Sequence, residues 1–192
     1  MNNNFIKVAA FYMFTNLTNL KELQEQFSKF LKNKNINGTV LLADEGINGT
    51  VAGSFSGIDN FKNFLIQHKL FLSQNFKTTT CKENPFPRLK VKLKDEIVSL
   101  GNDLANPGEI VGEYVKPKDW NKLISQDDVL VLDTRNKYEF SIGTFQNAIQ
   151  PQTTNFREFS NWIEHSNISK NKKVAMFCTG GIRCEKASSL MK

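Results

Sequence analysis

The spacing of apolar residues predicts one strand and one helix at the start of the chain. The short apolar run from Val8 to Phe14 predicts a first strand. Apolar residues then recur every three or four positions from Leu20 to Leu31, which predicts an amphipathic helix. Asn19 or Thr18 can cap its N-terminus, and Gly38 is expected to end this element.

The next part of the chain is predicted to contain three more strands and a second helix. Residues 39–42 and 50–52 predict two short strands around a turn-rich connection at residues 44–49. Ser56 can cap a second helix, and another strand is expected near Phe76 to Cys81. The order β-α-β-β-α-β is that of a ferredoxin-like α+β sandwich, which is the predicted fold of this part.

A basic stripe follows the predicted sandwich. Four cationic residues alternate with Leu89, Val91 and Leu93, namely Arg88, Lys90, Lys92 and Lys94. Side chains of an extended chain alternate between two faces, so the four cations share one face. Such a face could track a phosphate backbone, and an amphipathic strand with a solvated outer side explains the same pattern.

The last third of the chain alternates strands and helices. Buried-type strands are expected at Val129 to Asp133 and at Lys173 to Cys178, with a helix at Asn155 to Ile163 between them. This alternation predicts a parallel α/β sheet. Ligands of such sheets bind beyond the carboxyl ends of the strands, where both Asp133 and Cys178 lie.

A segment with the composition of a linker separates the two predicted domains. Asn106-Pro-Gly108 and the segment around Pro117 indicate a connection. We therefore expect an α+β domain at residues 1–105 and a parallel α/β domain at residues 106–192.

The chemistry of the second part centres on Cys178. Gly180 and Gly181 allow a tight loop after the strand, and Arg183 opens the following helix. Inward N–H groups, the helix N-terminus and the arginine all favour a thiolate, so the pKa of Cys178 should fall. A cysteine that only fills the core is the alternative. Four residues separate Cys178 from Arg183, namely Thr179, Gly180, Gly181 and Ile182, and this loop length resembles the rhodanese sulfurtransferases rather than the tyrosine phosphatases, which have five.

Three residues after the first buried strand support that resemblance. Asp133, Arg135 and Glu139 match an Asp-x-Arg-x-x-x-Glu stretch of rhodaneses. We expect Asp133 to cap the next helix and Arg135, paired with Glu139, to brace the site. Cys184 is either a second thiol that resolves an oxidised or persulfidated Cys178, or a helix residue below the loop.

The net charge and the cysteines indicate the class of partner and the cellular compartment. The 192 residues carry a net charge of +6, which favours polyanionic partners or serves solubility alone. Three cysteines, Cys81 among them, do not form a disulfide framework, so a reducing cytoplasm is expected. No apolar run is long enough for a membrane helix. His68 and His165 are far apart, and no nucleotide-binding loop occurs, so no metal or flavin is evident.

Longer runs of residues carry a more specific resemblance. They resemble the bacterial rhodanese-domain tRNA uridine hydroxylases along essentially the whole chain, from Val8 to Lys192. The runs are residues 45–50, 84–98, 133–139, 142–144, 156–159 and 177–186.

The resemblance implies an activity and a partner. Members of that family install 5-hydroxyuridine at the wobble position of tRNA with molecular oxygen, and their central cysteine, here Cys178, is regarded as a persulfide-type intermediate. The anticodon region of tRNA would contact the basic stripe together with Glu45 and Asn48, and no obligate protein partner is evident. Rhodanese domains normally continue with another strand and helix, so the resemblance implies a second domain incomplete at its C-terminus.

Other readings of the residues stay open. A plain sulfurtransferase would pass sulfur from thiosulfate or a persulfide to a thiol acceptor through Cys178. A non-catalytic RNA-binding adaptor would need only the fold and the basic stripe. A phosphatase is disfavoured by the length of the loop.

Overall fold

The computed structural model describes residues 5–69 and 76–192. The chain divides into two compact units, Met1–Ile97 and Val98–Lys192. The predicted domain boundary after residue 105 stays a prediction.

The first unit is a five-stranded sheet with two helices. In chain order it contains β1 (Ile6–Phe14), α1 (Leu20–Asn33), β2 (Asn37–Ala43), β3 (Gly46–Gly53), α2 (Phe55–Gln67), β4 (Lys77–Cys81) and β5 (Leu89–Leu93). The strand order is β4-β1-β3-β2-β5, with β5 parallel to β2 and the other neighbours antiparallel. The first four strands and two helices form the predicted ferredoxin-like sandwich.

One face of this sheet carries the core. Both helices bury phenylalanines against it: Phe27 from α1 and Phe61 from α2 are fully buried, with ring centroids 6.0 Å apart. Phe11 of β1 meets Phe61 edge to face at 5.4 Å. Aromatic packing of this kind stabilises beyond the buried area alone.

Local details of the first unit differ from the sequence predictions. Gly38 does not end α1 but lies inside β2 with φ 135°, where an added Cβ would come within 2.3 Å of the Thr50 carbonyl oxygen. Ser54, not Ser56, caps α2, because its hydroxyl accepts from the Gly57 N–H at 3.0 Å. Likewise β3 begins at Gly46, so the turn between β2 and β3 is shorter than predicted.

The basic strand is the edge strand β5. Its aliphatic residues Leu89, Val91 and Leu93 pack on the helix-covered core. Arg88, Lys92 and Lys94 are exposed and Lys90 is half-buried. The amphipathic extended segment is therefore confirmed.

The second unit is built around two parallel strands. It contains α3 (Pro117–Ile124), β6 (Val129–Asp133), α4 (Lys137–Ile142), α5 (Glu158–Glu164), β7 (Lys173–Phe177) and α6 (Ile182–Met191). Strands β6 and β7 pair in parallel, as predicted, and Ile149 forms an isolated parallel bridge to Leu132. Pro117 is not linker but the first residue of α3, a position where its missing N–H costs nothing.

The core of the second unit brings together residues of α5, α6 and the two strands. Leu100, Leu132, Phe159 and Ala187 are its best buried members. No helix in the described ranges, 5–69 and 76–192, is long and apolar enough to cross a membrane.

Candidate active site

The carboxyl end of β7 delivers Cys178 to a tight loop. The strand ends at Phe177 and α6 begins at Ile182, so Cys178 to Gly181 form the whole connection. Gly181 has φ 102°, a left-handed conformation that favours glycine, and it stands as the N-cap of α6. This conformation turns the Gly181 N–H back onto the Cys178 sulfur, with a nitrogen–sulfur distance of 3.0 Å.

Cys178 is set up to be a thiolate. Its pKa falls from 9.0 to about 5, first because the Cys184 thiol donates to its sulfur, and further because the backbone N–H groups of Cys184 and Gly181 and the charge of Arg183 favour the anion. Burial opposes this effect and is outweighed. The direction of the shift is the one predicted from the sequence, but its largest cause is Cys184, which sequence reasoning left between two roles.

Cys184 is the thiol partner of Cys178. Its own pKa is raised well above the ordinary value, because its proton is held in the hydrogen bond to the Cys178 sulfur and because it is buried. The Thr134 hydroxyl lies 3.6 Å from the Cys184 sulfur and donates to the Phe177 carbonyl at 3.1 Å. Thr134 was missed from the sequence. Its place directly after the carboxyl end of β6 is the signal that could have found it.

Arg183 is anchored by a carboxylate of α4. Its guanidinium nitrogens lie 2.6 and 2.7 Å from the two carboxylate oxygens of Glu139, which is a bidentate pair. The Thr179 hydroxyl donates to the same carboxylate at 2.5 Å. These contacts lower the pKa of Glu139 from 4.5 to about 2, the hydrogen bonds from Arg183 contributing most. Glu139 thus holds both Thr179 and Arg183, the second and sixth residues of the Cys178–Arg183 run.

We expect Glu139→Gln to destabilise the second unit by about 2 kcal/mol, because it removes the charged, bidentate partner of a largely buried guanidinium. The folded-state pKa of Glu139 is depressed, so this stabilisation is present above about pH 4.5 and is lost as the pH falls through about 2. Urea unfolding of both proteins at pH 7 and at decreasing pH measures the difference. The exposed Glu164→Gln variant is the matched control, and equal losses in both variants would contradict the prediction.

A second ion pair lies at the carboxyl end of β6. Asp133 is fully buried and accepts from the Arg135 guanidinium, whose Nη2 lies 2.7 Å from its Oδ2. It also accepts from the Thr144 hydroxyl at 2.9 Å, while Arg135 donates to the Gly143 carbonyl at 2.6 Å. The Arg135–Asp133 pair therefore fastens the end of β6 to the loop after α4.

Two predictions about these residues are wrong. Arg135 pairs with Asp133 rather than with Glu139, because Glu139 is turned toward Arg183. Asp133 does not cap α4: Asn136 is the N-cap, and its N–H donates to the Glu139 carboxylate at 3.2 Å.

The remaining predicted loop residues lie where the sequence placed them. Thr179 is exposed, Gly180 is half-buried, and Ile182 is the first residue of α6. Together with the glycine at 181 they form the short connection between Cys178 and Arg183.

Glu45 and Asn48, predicted to contact RNA, lie in the first unit with their side chains engaged. The Ile97 N–H donates to the Glu45 carboxylate at 2.6 Å, and the Asn48 amide donates to the Ile97 carbonyl at 2.8 Å. Both side chains thus fasten the segment after β5 to the β2–β3 hairpin. Their contact with RNA stays a prediction.

The two histidines and Cys81 make hydrogen bonds to backbone carbonyls near them in sequence. His68 and His165 follow the C-termini of α2 and α5, and each ring nitrogen lies 2.8 Å from a carbonyl of its own helix. The Cys81 thiol donates to the Glu83 carbonyl at 2.9 Å. Within the ranges the structure describes, no three His, Cys, Asp or Glu side chains group as metal ligands.

This arrangement supports nucleophilic sulfur chemistry. The Cys178 anion is stabilised by N–H groups, by a neighbouring thiol and by a guanidinium, and the same donors can stabilise a terminal sulfur anion attached to Cys178. A parallel strand, a short anion-binding loop and a helix define the class: the second unit is a rhodanese-like domain, and the rhodanese-like family model matches residues 116–192. The model of the UPF0176 acylphosphatase like domain matches residues 6–97.

Comparison with curated proteins finds a relative that is similar along the entire chain. The chain is 47% identical over 194 aligned residues to the tRNA uridine(34) hydroxylase of Bartonella henselae (strain Houston 1), and the alignment covers 100% of this chain. Both domain models match in this order, and the similarity to the Bartonella protein extends along the entire chain.

The chain is shorter than the Bartonella protein, and one solved structure gives a weak match. The chain spans 64% of the length of the Bartonella protein. Among solved structures, a bacterial light-regulated adenylyl cyclase aligns with 46% of this chain and 28% of its own at 15% identity, and its TM-score of 0.32 is too low to bear on fold or function.

Proposed function

We propose that this chain belongs to a tRNA-modifying oxidoreductase of the cytoplasm that converts wobble uridine 34 to 5-hydroxyuridine with molecular oxygen. The observation that carries the proposal is the Cys178 thiolate, held by the Gly181 N–H, the Cys184 thiol and Arg183. The 47% identity to the Bartonella relative supports it, since that protein is named a tRNA uridine(34) hydroxylase.

The overall reaction determines how many electrons and protons must be supplied at the site. One oxygen atom of O2 replaces the C5 hydrogen of uridine by a hydroxyl group, and the other leaves as water, which requires two electrons and two protons. A thiolate and a thiol supply the two electrons and one of the protons when they are oxidised to a disulfide, and solvent supplies the second proton. Cys178 and Cys184, joined by a hydrogen bond, are a pair of the required kind, and an external thiol would reduce them again.

Cys178 is the proposed catalytic nucleophile, as a thiolate or, after sulfur transfer, as a persulfide. Arg183 is the proposed electrostatic partner of the sulfur anion, and residues 179–182 supply the loop that encloses it. Asp133, Arg135 and Glu139 are proposed positioning residues, because their contacts orient the loop and its arginine.

The first unit is proposed to bind the anticodon region of the tRNA. Its exposed cations Arg88, Lys92 and Lys94 and the half-buried Lys90 follow one edge strand. Phosphate contacts of this type position an RNA without reading its sequence.

The test is nucleoside analysis of cellular tRNA. Tandem mass spectrometry should find 5-hydroxyuridine and its derivatives lost when the gene is deleted in a strain without a parallel pathway, restored by the full-length wild-type gene, and at least a hundredfold lower with Cys178→Ser. Ser keeps the size of the side chain and lacks the thiolate. Unchanged 5-hydroxyuridine with Cys178→Ser would sink the proposal.

A sulfurtransferase is the second candidate, favoured by the match to the rhodanese-like model. In that reaction the Cys178 thiolate takes the outer sulfur of thiosulfate, releases sulfite, and passes the sulfur to a thiol acceptor. Thiosulfate turnover that is fast without tRNA and lost in Cys178→Ser would favour it over hydroxylation.

A further inference from the structure

The sheet of the first unit has a second face that neither helix covers. Residues Ala9, Phe11, Val40, Leu42, Ile47 and Val51 join the buried cluster on the helix side. Because neighbours along a strand point to opposite faces, the alternate residues lie on the other face. The strand register decides which of these meet.

Residues of all five strands align in one row across this other face. Lys90 of β5 lies opposite Thr39, which lies opposite Thr50 and then Ala10 and Lys77. The row therefore begins and ends with a lysine, with small or hydroxyl side chains between. Four strand intervals separate Lys77 from Lys90, a span of about 19 Å.

The neighbouring rows carry further cations at the β5 edge. Lys92 lies in the row of Leu41, Asn48 and Tyr12, while Thr79 lies opposite Val8. The Arg88 carbonyl accepts from the Gly38 N–H, which places Arg88 one step beyond the start of β5 on the face of Lys90. Cations thus lie at both edges of the sheet.

The charge on this face has one sign. None of the residues in the five strands, all of them described, is Asp or Glu. Lys77, Arg88 and Lys92 are exposed. Acidic residues such as Asp44 and Asp95 follow only past the ends of β2 and β5, so the cationic region centres on the row from Lys77 to Lys90.

We infer that the row from Lys90 to Lys77 on this face, and not only the edge strand β5, binds the sugar–phosphate backbone of the RNA substrate. The backbone crosses the strands from Lys90 to Lys77, with Thr39 and Thr50 as hydroxyl donors between the two cationic edges. The inference rests on the proposed function for its choice of RNA over other polyanions. It extends that function by Lys77, which is 13 residues from Lys90 in sequence and joins it only through strand pairing.

The experiment measures binding of a fluorescently labelled anticodon stem–loop RNA to the full chain by anisotropy over a range of salt concentrations. The variant Lys77→Gln/Lys90→Gln/Lys92→Gln should bind roughly tenfold more weakly, with the slope of log K against log salt reduced by about 2. The control Lys21→Gln/Lys29→Gln/Lys32→Gln removes the same charge from exposed positions of α1 and should change affinity less than about twofold.

Single variants separate the face from the edge. Lys77→Gln should weaken binding by roughly threefold and reduce the slope by about 0.7, while Lys21→Gln should not. Equal effects of the two triple variants would mean that only net charge matters and would overturn the inference. Loss of binding with Lys90→Gln/Lys92→Gln but not with Lys77→Gln would confine the contact to β5 and would also overturn it. Circular dichroism melts confirm that each variant is folded.

Failure of this inference differs from failure of the proposed function. If the face variants bind RNA like wild type while 5-hydroxyuridine still requires Cys178, the surface assignment is wrong and the activity stands. If the face variants lose binding while Cys178→Ser keeps 5-hydroxyuridine, the RNA surface stands and the proposed chemistry is wrong.

Discussion

Iodoacetamide should alkylate Cys178 at neutral pH with the sulfur almost entirely in its thiolate form, and the rate should fall to half its maximum near pH 5. A free cysteine has a pKa near 8.5 and is only a few per cent thiolate at pH 7. Cys178 titrates near 5 because the Cys184 thiol, two backbone N–H groups and Arg183 favour its anion. Mass spectrometry of the Cys178 peptide after timed alkylation at pH 4 to 9 gives the profile.

Substitution of Cys184 tests the cause of that shift. Cys184→Ala removes the largest stabilising hydrogen bond, so the midpoint of the alkylation profile should rise by at least one pH unit. Cys184→Ser keeps a hydroxyl donor and should raise the midpoint less. A folded wild-type protein in which Cys178 is inert at pH 7 would contradict the thiolate assignment, and with it the enzymatic proposal.

Asp133→Asn should lower the free energy of unfolding of the second unit by about 3 kcal/mol. The substitution keeps the shape of the side chain but removes a fully buried negative charge, leaving the Arg135 guanidinium without its counter-charge. The new amide also turns one donor toward groups that already donate, namely Arg135 and the Thr144 hydroxyl. Urea unfolding followed by tryptophan fluorescence measures the loss, since both tryptophans lie in this unit.

The matched control is Asp127→Asn, at an exposed position just before β6. It should change the unfolding free energy by less than about 0.5 kcal/mol. If Asp133→Asn changed the unfolding free energy as little as the control, the Asp133–Arg135 ion pair would contribute little to stability. It would then not anchor the end of β6.

The sequence was sufficient where the pattern is local. The β-α-β-β-α-β order follows from apolar spacing, and the loop after Cys178 follows from two glycines and a helix start. The amphipathic alternation of residues 88–94 likewise predicted an extended strand with one cationic face. In each case the information lies within a few neighbouring residues.

The sequence was insufficient where partners are distant. Glu139 binds Arg183, 44 positions away, although Arg135 is nearer in sequence, because α4 and α6 approach each other only in the folded unit. The row that joins Lys77 to Lys90 depends on the registers of four strand pairs. The Cys184–Cys178 hydrogen bond depends on how the first turn of α6 is oriented toward the loop, which spacing alone leaves undecided.

The contacts of the buried Lys186 determine where an expressed fragment of the second unit can begin. Its side chain is 2% exposed, and its ammonium donates to the Val98 carbonyl at 3.2 Å. The Gly112 N–H donates to the Ser188 hydroxyl at 2.8 Å, and Leu100 is buried in the same core. The rhodanese-like match begins at residue 116. A fragment that begins there would lack Val98, Leu100 and Gly112, so the buried Lys186 would lose one hydrogen-bond acceptor and apolar core residues would be exposed to water. Expression of this half as a separate piece should begin no later than Val98.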